Sequence, residues 1–142
     1  MKYLFSNSKI LGRSVYIVAA KRTPIGSFNG KLSSFAGVEL SEFATRAALE
    51  SINLNPKEVD EVVFGNVLGA GLGQAPARQA SVRAGVGLDV PCTTINKVCS
   101  SGLKSVCYGA QSIALDQADI AITGGFESMS KAPFILNNVS CF

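Results

Sequence analysis

Apolar residues recur along the chain in two rhythms that alternate from end to end. VYIVAA at residues 15–20 is a short β-branched run with the pattern of a buried strand, and a turn-rich stretch through Pro24, Gly26 and Asn29-Gly30 follows it. Leu40, Phe43, Ala44, Ala47, Ala48 and Ile52 then return at helical spacing. They predict an amphipathic helix of about four turns, stopped by Asn53-Leu54-Asn55-Pro56. EVVFGNVL at residues 61–68 reads as a second strand, after which Gly69, Gly71 and Gly73 open the chain into a loop. Pro76 suits the first turn of a second helix ending near Val86. Beyond Pro91, CTTIN at residues 92–96 predicts a third strand, and DIAIT at residues 119–123 a fourth. Between them Leu103, Val106, Cys107, Ala110 and Ala114 mark a third helix.

The order β-α-β-α-β-α-β, with strands apolar on both faces, predicts an α/β layered fold around a largely parallel sheet. The third helix stands out because Ser101, Gly102, Ser105, Gly109, Ala110, Ser112 and Ala114 keep it small on nearly every side. Such a helix can approach other backbones closely, so it is expected in the interior, sandwiched between layers. The chain holds no internal repeat or low-complexity tract.

Composition narrows the chemistry more than the size does. The 142 residues are 47% hydrophobic and 16% charged, the profile of one packed domain that buries roughly two thirds of its unfolded surface. There is no histidine, which excludes a Ser-His-Asp or Cys-His site and a His-ligated metal built from this chain alone. Cys92, Cys99, Cys107 and Cys141 fit neither a C-x-x-C redox pair nor a zinc ribbon, so no metal site is expected. The apolar runs are too short for a signal sequence or a membrane span, which predicts reduced thiols. On that reading the Asn138-Val139-Ser140 triplet carries no glycan.

The net charge of +3 is unevenly spread. Residues 1–38 hold six bases and no acid, a sum of +6, while the remainder sets seven bases against ten acids, a sum of −3. Basic residues with Ser6, Ser8 and Ser14 and no acid match a mitochondrial transit peptide; a solvated N-terminal extension accounts for the same residues. The charges are too spaced, and Tyr3 and Phe5 too few, for a nucleic-acid platform.

Cys99 lies in NKVCSSG, residues 96–102, between the third strand and the first turn of the third helix. At that point free backbone N–H groups and a helix dipole of about half an elementary charge favour a thiolate, so Cys99 is the candidate nucleophile. A buried, inert cysteine is the alternative reading. Cys92, in a strand, and Cys107, on an apolar helix stripe, read as structural. Lys97 either assists electrostatically or faces solvent. Gly69-Ala70-Gly71-Leu72-Gly73 has the look of a phosphate cradle, but Gln74 replaces the third glycine of a dinucleotide fingerprint, which favours a plain crossing loop. Carboxylates are scattered singly, without a paired acid/base motif.

Five ordered blocks carry a family resemblance: VYIVAAKRTPIGSFNGKLSS from Val15, GNVL from Gly65, GQAPARQA from Gly73, TTINKVCSSGLKSV from Thr93 and GGFESMSKAP from Gly124. Together they resemble the N-terminal part of thiolases, nearest to the acetyl-CoA acetyltransferases (acetoacetyl-CoA thiolases) of animal mitochondrial type. The wording KVCSSG and GGFESMS favours thiolases over ketoacyl synthases, which share the fold and a nucleophilic cysteine. The resemblance implies a thiolase-like layered α/β fold, N-terminal half only, without the inserted loop domain and the C-terminal half. It makes Cys99, first residue of Cys99-Ser100-Ser101, the acyl-accepting nucleophile, with its backbone N–H one donor of an oxyanion hole.

In that family the cysteine thiolate attacks an acyl-CoA thioester and releases CoA. A second acetyl-CoA, deprotonated by another cysteine, then attacks the acyl group to give acetoacetyl-CoA, and the reverse is thiolysis. The substrates are therefore coenzyme A thioesters, no separate cofactor or metal is needed, and the full-length family forms homo-oligomers. Neither nucleic acid nor membrane is an expected partner. The family's second-half motifs N-E-A-F and G-H-P do not occur in this sequence, and Cys141 is not followed by the x-G of the family's second cysteine.

The expected organisation is an N-terminal extension or transit-peptide remnant at 1–14, a partial thiolase N-terminal domain at 15–133 and a divergent tail at 134–142. Two functions follow from it: acyl transfer by a thiolase fragment, placed in mitochondrial fatty acid metabolism, or a catalytically incomplete chain that partners a full-length thiolase. The alternative location is cytoplasmic.

Overall fold

The computed structural model describes residues 12–136. The expected transit peptide lies mostly outside this range, as do Cys141, the glycosylation triplet and most of the divergent tail. Helix α1 spans Gly37–Ser51, β1 Glu61–Gly65, α2 Pro76–Arg83, β2 Cys92–Ile95, α3 Ser101–Ala114 and β3 Ala121–Gly125. Single 3₁₀ turns occupy Pro56–Glu58 and Met129–Lys131. The strands form one parallel sheet in the order β2-β1-β3, with Val62 opposite Cys92 on one side and opposite Ile122 on the other.

Alternation along the central strand β1 separates the two faces. Val62 and Phe64 enter a core with Val38, Leu49, Ala77, Ala80, Val86 and Val90, beneath α1 and α2. Gly65 instead meets α3 on the opposite face. The result is the expected α/β/α layering, with β1 covered on both sides. The helix boundaries follow local chemistry. Glu39 accepts a hydrogen bond from the Ala36 N–H (2.7 Å) at the start of α1, and Pro76 opens α2. Asn53, at φ 52°, turns the chain away just after α1.

Several expectations are corrected. Residues 15–20 form no strand; they have no regular secondary structure and are mostly exposed, with Tyr16 at 77%. A cleft of about 850 Å³, lined in part by Leu40, Val106, Ile113 and Ile122, separates them from β3 and the flanking helices. An apolar run supplies side chains for a strand but not a hydrogen-bonding neighbour, and here no neighbour is in reach among the described residues. The second strand ends at Gly65, three residues early, because the Val67 and Leu68 N–H groups turn to the Glu127 carboxylate. The last strand begins late, since the N–H groups of Asp119 and Ile120 donate to Asp60 (2.9 Å each).

Helix α3 is packed on one side only among the described residues. Ser101, Ser105 and Gly109 face the sheet and are buried, whereas Leu103, Cys107 and Tyr108 are exposed. Cys107, expected in a core, thus lies on the helix's outer side, while Val106, Ala110 and Ala114 of the same stripe are half-buried. Arg13, within the expected extension, pairs with Asp116 (2.9 Å) and Asp119 and donates its N–H to Ala114 O. Hydrogen bonds to Asp119 and then Asp116 hold its guanidinium above the ordinary arginine range.

Gly65, Gly102 and Gly125 make the α3 seat. A Cβ on Gly65 would stand 2.4 Å from the Ser101 carbonyl carbon, and one on Gly125 would stand 2.9 Å from Gly102 Cα. A Cβ on Gly124 meets only the Phe64 ring edge at 3.6 Å, an ordinary contact. Gly65→Ala is therefore expected to cost about 3 kcal/mol by overpacking, and Gly124→Ala less than about 1 kcal/mol. Urea unfolding of the two variants checks the contrast, and equal losses would count against a backbone-limited seat.

Candidate functional site

The carboxyl ends of the three parallel strands lie side by side, and each continues into a loop that carries a polar side chain. In parallel α/β sheets this end is where ligands bind. After β2 comes the turn of Asn96 to Ser101, which contains Cys99. After β1 comes the stretch from Asn66 to Leu68, and after β3 the stretch from Phe126 to Ser128.

The β2–α3 turn is built by its own side chains. Ser101 Oγ accepts from the Lys97 N–H (2.7 Å) and donates to the Val98 carbonyl (2.6 Å). Asn96 Oδ1 accepts from the Val98 N–H (2.9 Å), and Ser100 Oγ donates to the Lys97 carbonyl (3.0 Å). Between these bonds Val98 sits at φ 50°. Asn29, Asn53 and Asp116 also have positive φ, which such side chains tolerate, but Val98 is the one β-branched case among the described residues. A conformation of this kind costs about 1–3 kcal/mol and persists only where its surroundings impose it.

Cys99 follows Val98 directly and precedes Ser100, the N-cap of α3, so its position at a helix start is as expected. The thiol is exposed, contrary to the inert, buried alternative. Lys97 is exposed as well, in agreement with its solvent-facing reading. Cys92 is partly buried, with its sulfur 3.1 Å from Ser81 Oγ, and fits a structural role.

The loop after β1 is fastened to the end of β3. Glu127 accepts from Asn66 Nδ2 (2.7 Å), the Val67 N–H (2.9 Å) and the Leu68 N–H (3.1 Å), while Asn66 Nδ2 also donates to the Phe126 carbonyl (3.2 Å). A carboxylate facing several N–H donors makes charge-assisted bonds, roughly twice as strong as neutral ones. From the same loop the Val67 carbonyl accepts a long bond from Asn96 Nδ2 (3.5 Å). The Glu127 clamp had no signal in motif spacing, because partners 59 to 61 residues apart meet only when β1 and β3 pair.

The glycine-rich loop is no cradle for a phosphate in this geometry. Gln79 Nε2 donates to the carbonyls of Leu72 (2.7 Å) and Gln74 (2.8 Å), closing the loop on itself, with Gly71 and Gly73 at positive φ. Among the described residues no group of His, Cys, Asp and Glu could hold a metal ion, and no helix is long and apolar enough to cross a membrane.

Comparison with known proteins agrees with this geometry. Residues 15–140 match the family model described as "Thiolase, N-terminal domain". The chain is 53% identical over 125 residues to the cytosolic acetyl-CoA acetyltransferase ERG10 of Gibberella zeae, covering 88% of this chain and 32% of the relative. It is 54% identical over 121 residues to acetyl-CoA acetyltransferase 2 of Arabidopsis thaliana, covering 85% of this chain and 30% of that one. The crystal structure of Acat5 thiolase from Ascaris suum in complex with coenzyme A superposes with a TM-score of 0.86 at 42% identity, covering 88% of this chain and 33% of that structure. The chain thus spans about a third of the length of the relatives it matches. With the family model matching most of its length, the chain belongs to the thiolase family and corresponds to the family's N-terminal domain.

Proposed function

We propose that this chain carries the acyl-accepting part of acetyl-CoA acetyltransferase chemistry, with Cys99 as the nucleophile. The observation that carries the reading is an exposed thiol directly after a strained turn and at the start of α3, at the carboxyl end of a parallel sheet. In the reaction the Cys99 sulfur bonds to the thioester carbonyl carbon, and a tetrahedral oxyanion forms. The bond from that carbon to the CoA sulfur then breaks, CoA leaves with a proton, and an acyl-S-cysteine remains. The Cys99 backbone N–H is one donor for the oxyanion, because it belongs to the turn that enters the helix.

The ligand class is a coenzyme A thioester, supported by the coenzyme A complex of the Ascaris suum thiolase. Condensation of a second acetyl-CoA needs the family's second cysteine to remove a methyl proton, and no cysteine of this chain is assigned that role. The reaction assigned to these residues therefore stops at the acyl-enzyme and its return to CoA. The unit that performs it is residues 15–133, preceded by an extension at 1–14 and followed by a divergent tail at 134–142. The basic, acid-free N-terminal residues favour a mitochondrial address, with a role in fatty acid metabolism. The Gibberella zeae relative is named cytosolic, which favours the cytoplasmic alternative.

A second reading, partnership with a full-length thiolase, rests on the outer face of α3. Leu103 and Leu115 are exposed there along with Cys107, and contiguous exposed apolar residues mark interaction surfaces. The two readings separate by experiment. Incubation with radiolabelled acetyl-CoA is expected to label the parent and Cys107→Ala but not Cys99→Ala, and equal labelling of Cys99→Ala would remove the acyl-acceptor reading. Size-exclusion chromatography tests the second, which fails if the chain runs as a compact monomer and does not co-elute with a full-length thiolase.

A further inference from the structure

We propose that Asn96 and Ser101 are positioning residues for Cys99, acting by locking Val98 in its left-handed conformation; the inference rests on Cys99 being the acyl acceptor. Both backbone polar groups of Val98 are held by side chains. Its N–H donates to Asn96 Oδ1 (2.9 Å), and its carbonyl accepts from Ser101 Oγ (2.6 Å) and from the Ser101 N–H (3.1 Å). The Val98 side chain offers no compensation, since it is 66% exposed. Nothing local favours a valine at φ 50°, so the geometry comes from the two clamps.

The clamps differ in their anchorage. Ser101 is buried at 4% exposure and lies against Gly65 of the central strand, so its hydroxyl refers the turn to the rigid sheet. Asn96 is exposed and reaches the Val67 carbonyl, in the loop that Glu127 fastens to β3. Cys99 follows the clamped residue directly, so releasing Val98 toward negative φ would rotate the peptide that carries the thiol. A thioester is attacked only from a narrow range of approach, whereas a small alkylating agent reaches an exposed thiol from many directions. Loss of the clamps should therefore slow acylation selectively.

The experiment compares two rates at the same sulfur in the full chain: labelling of Cys99 by radiolabelled acetyl-CoA and its alkylation by iodoacetamide. Asn96→Ala and Ser101→Ala are each expected to lower acylation about tenfold, the competent fraction lost when the turn relaxes. Alkylation should stay within about twofold of the parent. Asn96→Asp, which keeps the oxygen that Val98 N–H needs, should restore most of the acylation rate. Because Ser101 is buried, its alanine variant also loses stability, so the exposed Asn96 pair decides the matter, with thermal unfolding as the control. The proposal falls if Asn96→Ala acylates as fast as the parent, or if acylation and alkylation change together. A parent that takes up no label at Cys99 removes the acyl-acceptor reading itself, and positioning for acyl transfer with it.

Discussion

The close approach of α3 to the sheet governs the rest of the architecture. Gly65, Gly102 and Gly125 bring backbone against backbone, and Ser105 Oγ accepts from the Gly124 N–H (2.9 Å) across the same interface. Burial of a hydroxyl is favourable only when its hydrogen bonds are made, and here the strand supplies them. With so little side chain between them, the helix and the strands have almost no freedom to slide. The first turn of α3 is thereby pinned at the carboxyl ends of β1 and β3, and the turn before it inherits that position.

This constraint explains how an exposed turn can hold an unfavourable conformation. A β-branched residue at positive φ would relax if the chain on either side could shift. Ser101 links the turn to the helix that cannot move, while Asn96 and the Glu127-fastened loop hold the other side. The polar groups at this end of the sheet come from three separate segments, which pair only because β1 lies between β2 and β3. In a thiolase N-terminal domain of this form, rigidity is concentrated behind the cysteine while the thiol itself stays open to solvent.

Much of the fold was legible from periodicity. All three helices and three of the four strands occur where the apolar rhythm placed them, with ends shifted by a few residues. The early end of β1 and the late start of β3 have the same kind of cause: Glu127 and Asp60, single carboxylates with no local pattern, capture backbone N–H groups that a strand would otherwise use. The failure at residues 15–20 is of another kind. The segment is apolar enough for a strand, but strand formation depends on a neighbour, and β3 and the segment stand apart across a cleft. For α3, small residues on most sides predicted a close approach, which is present, yet said nothing of how many sides would be covered.

By itself the sequence determined the α/β class, the thiolase family and the location of Cys99 at a strand-to-helix junction. Those properties reside in local spacing and in contiguous motifs, which need no knowledge of distant contacts. Tertiary structure alone decided that Val98 is strained, that Ser101 and Asn96 clamp it, that Glu127 ties two loops together, and that Cys107 faces outward. Each of these depends on a backbone angle or on atoms far apart in the chain. Neither is encoded in residue spacing until the sheet has brought the segments together.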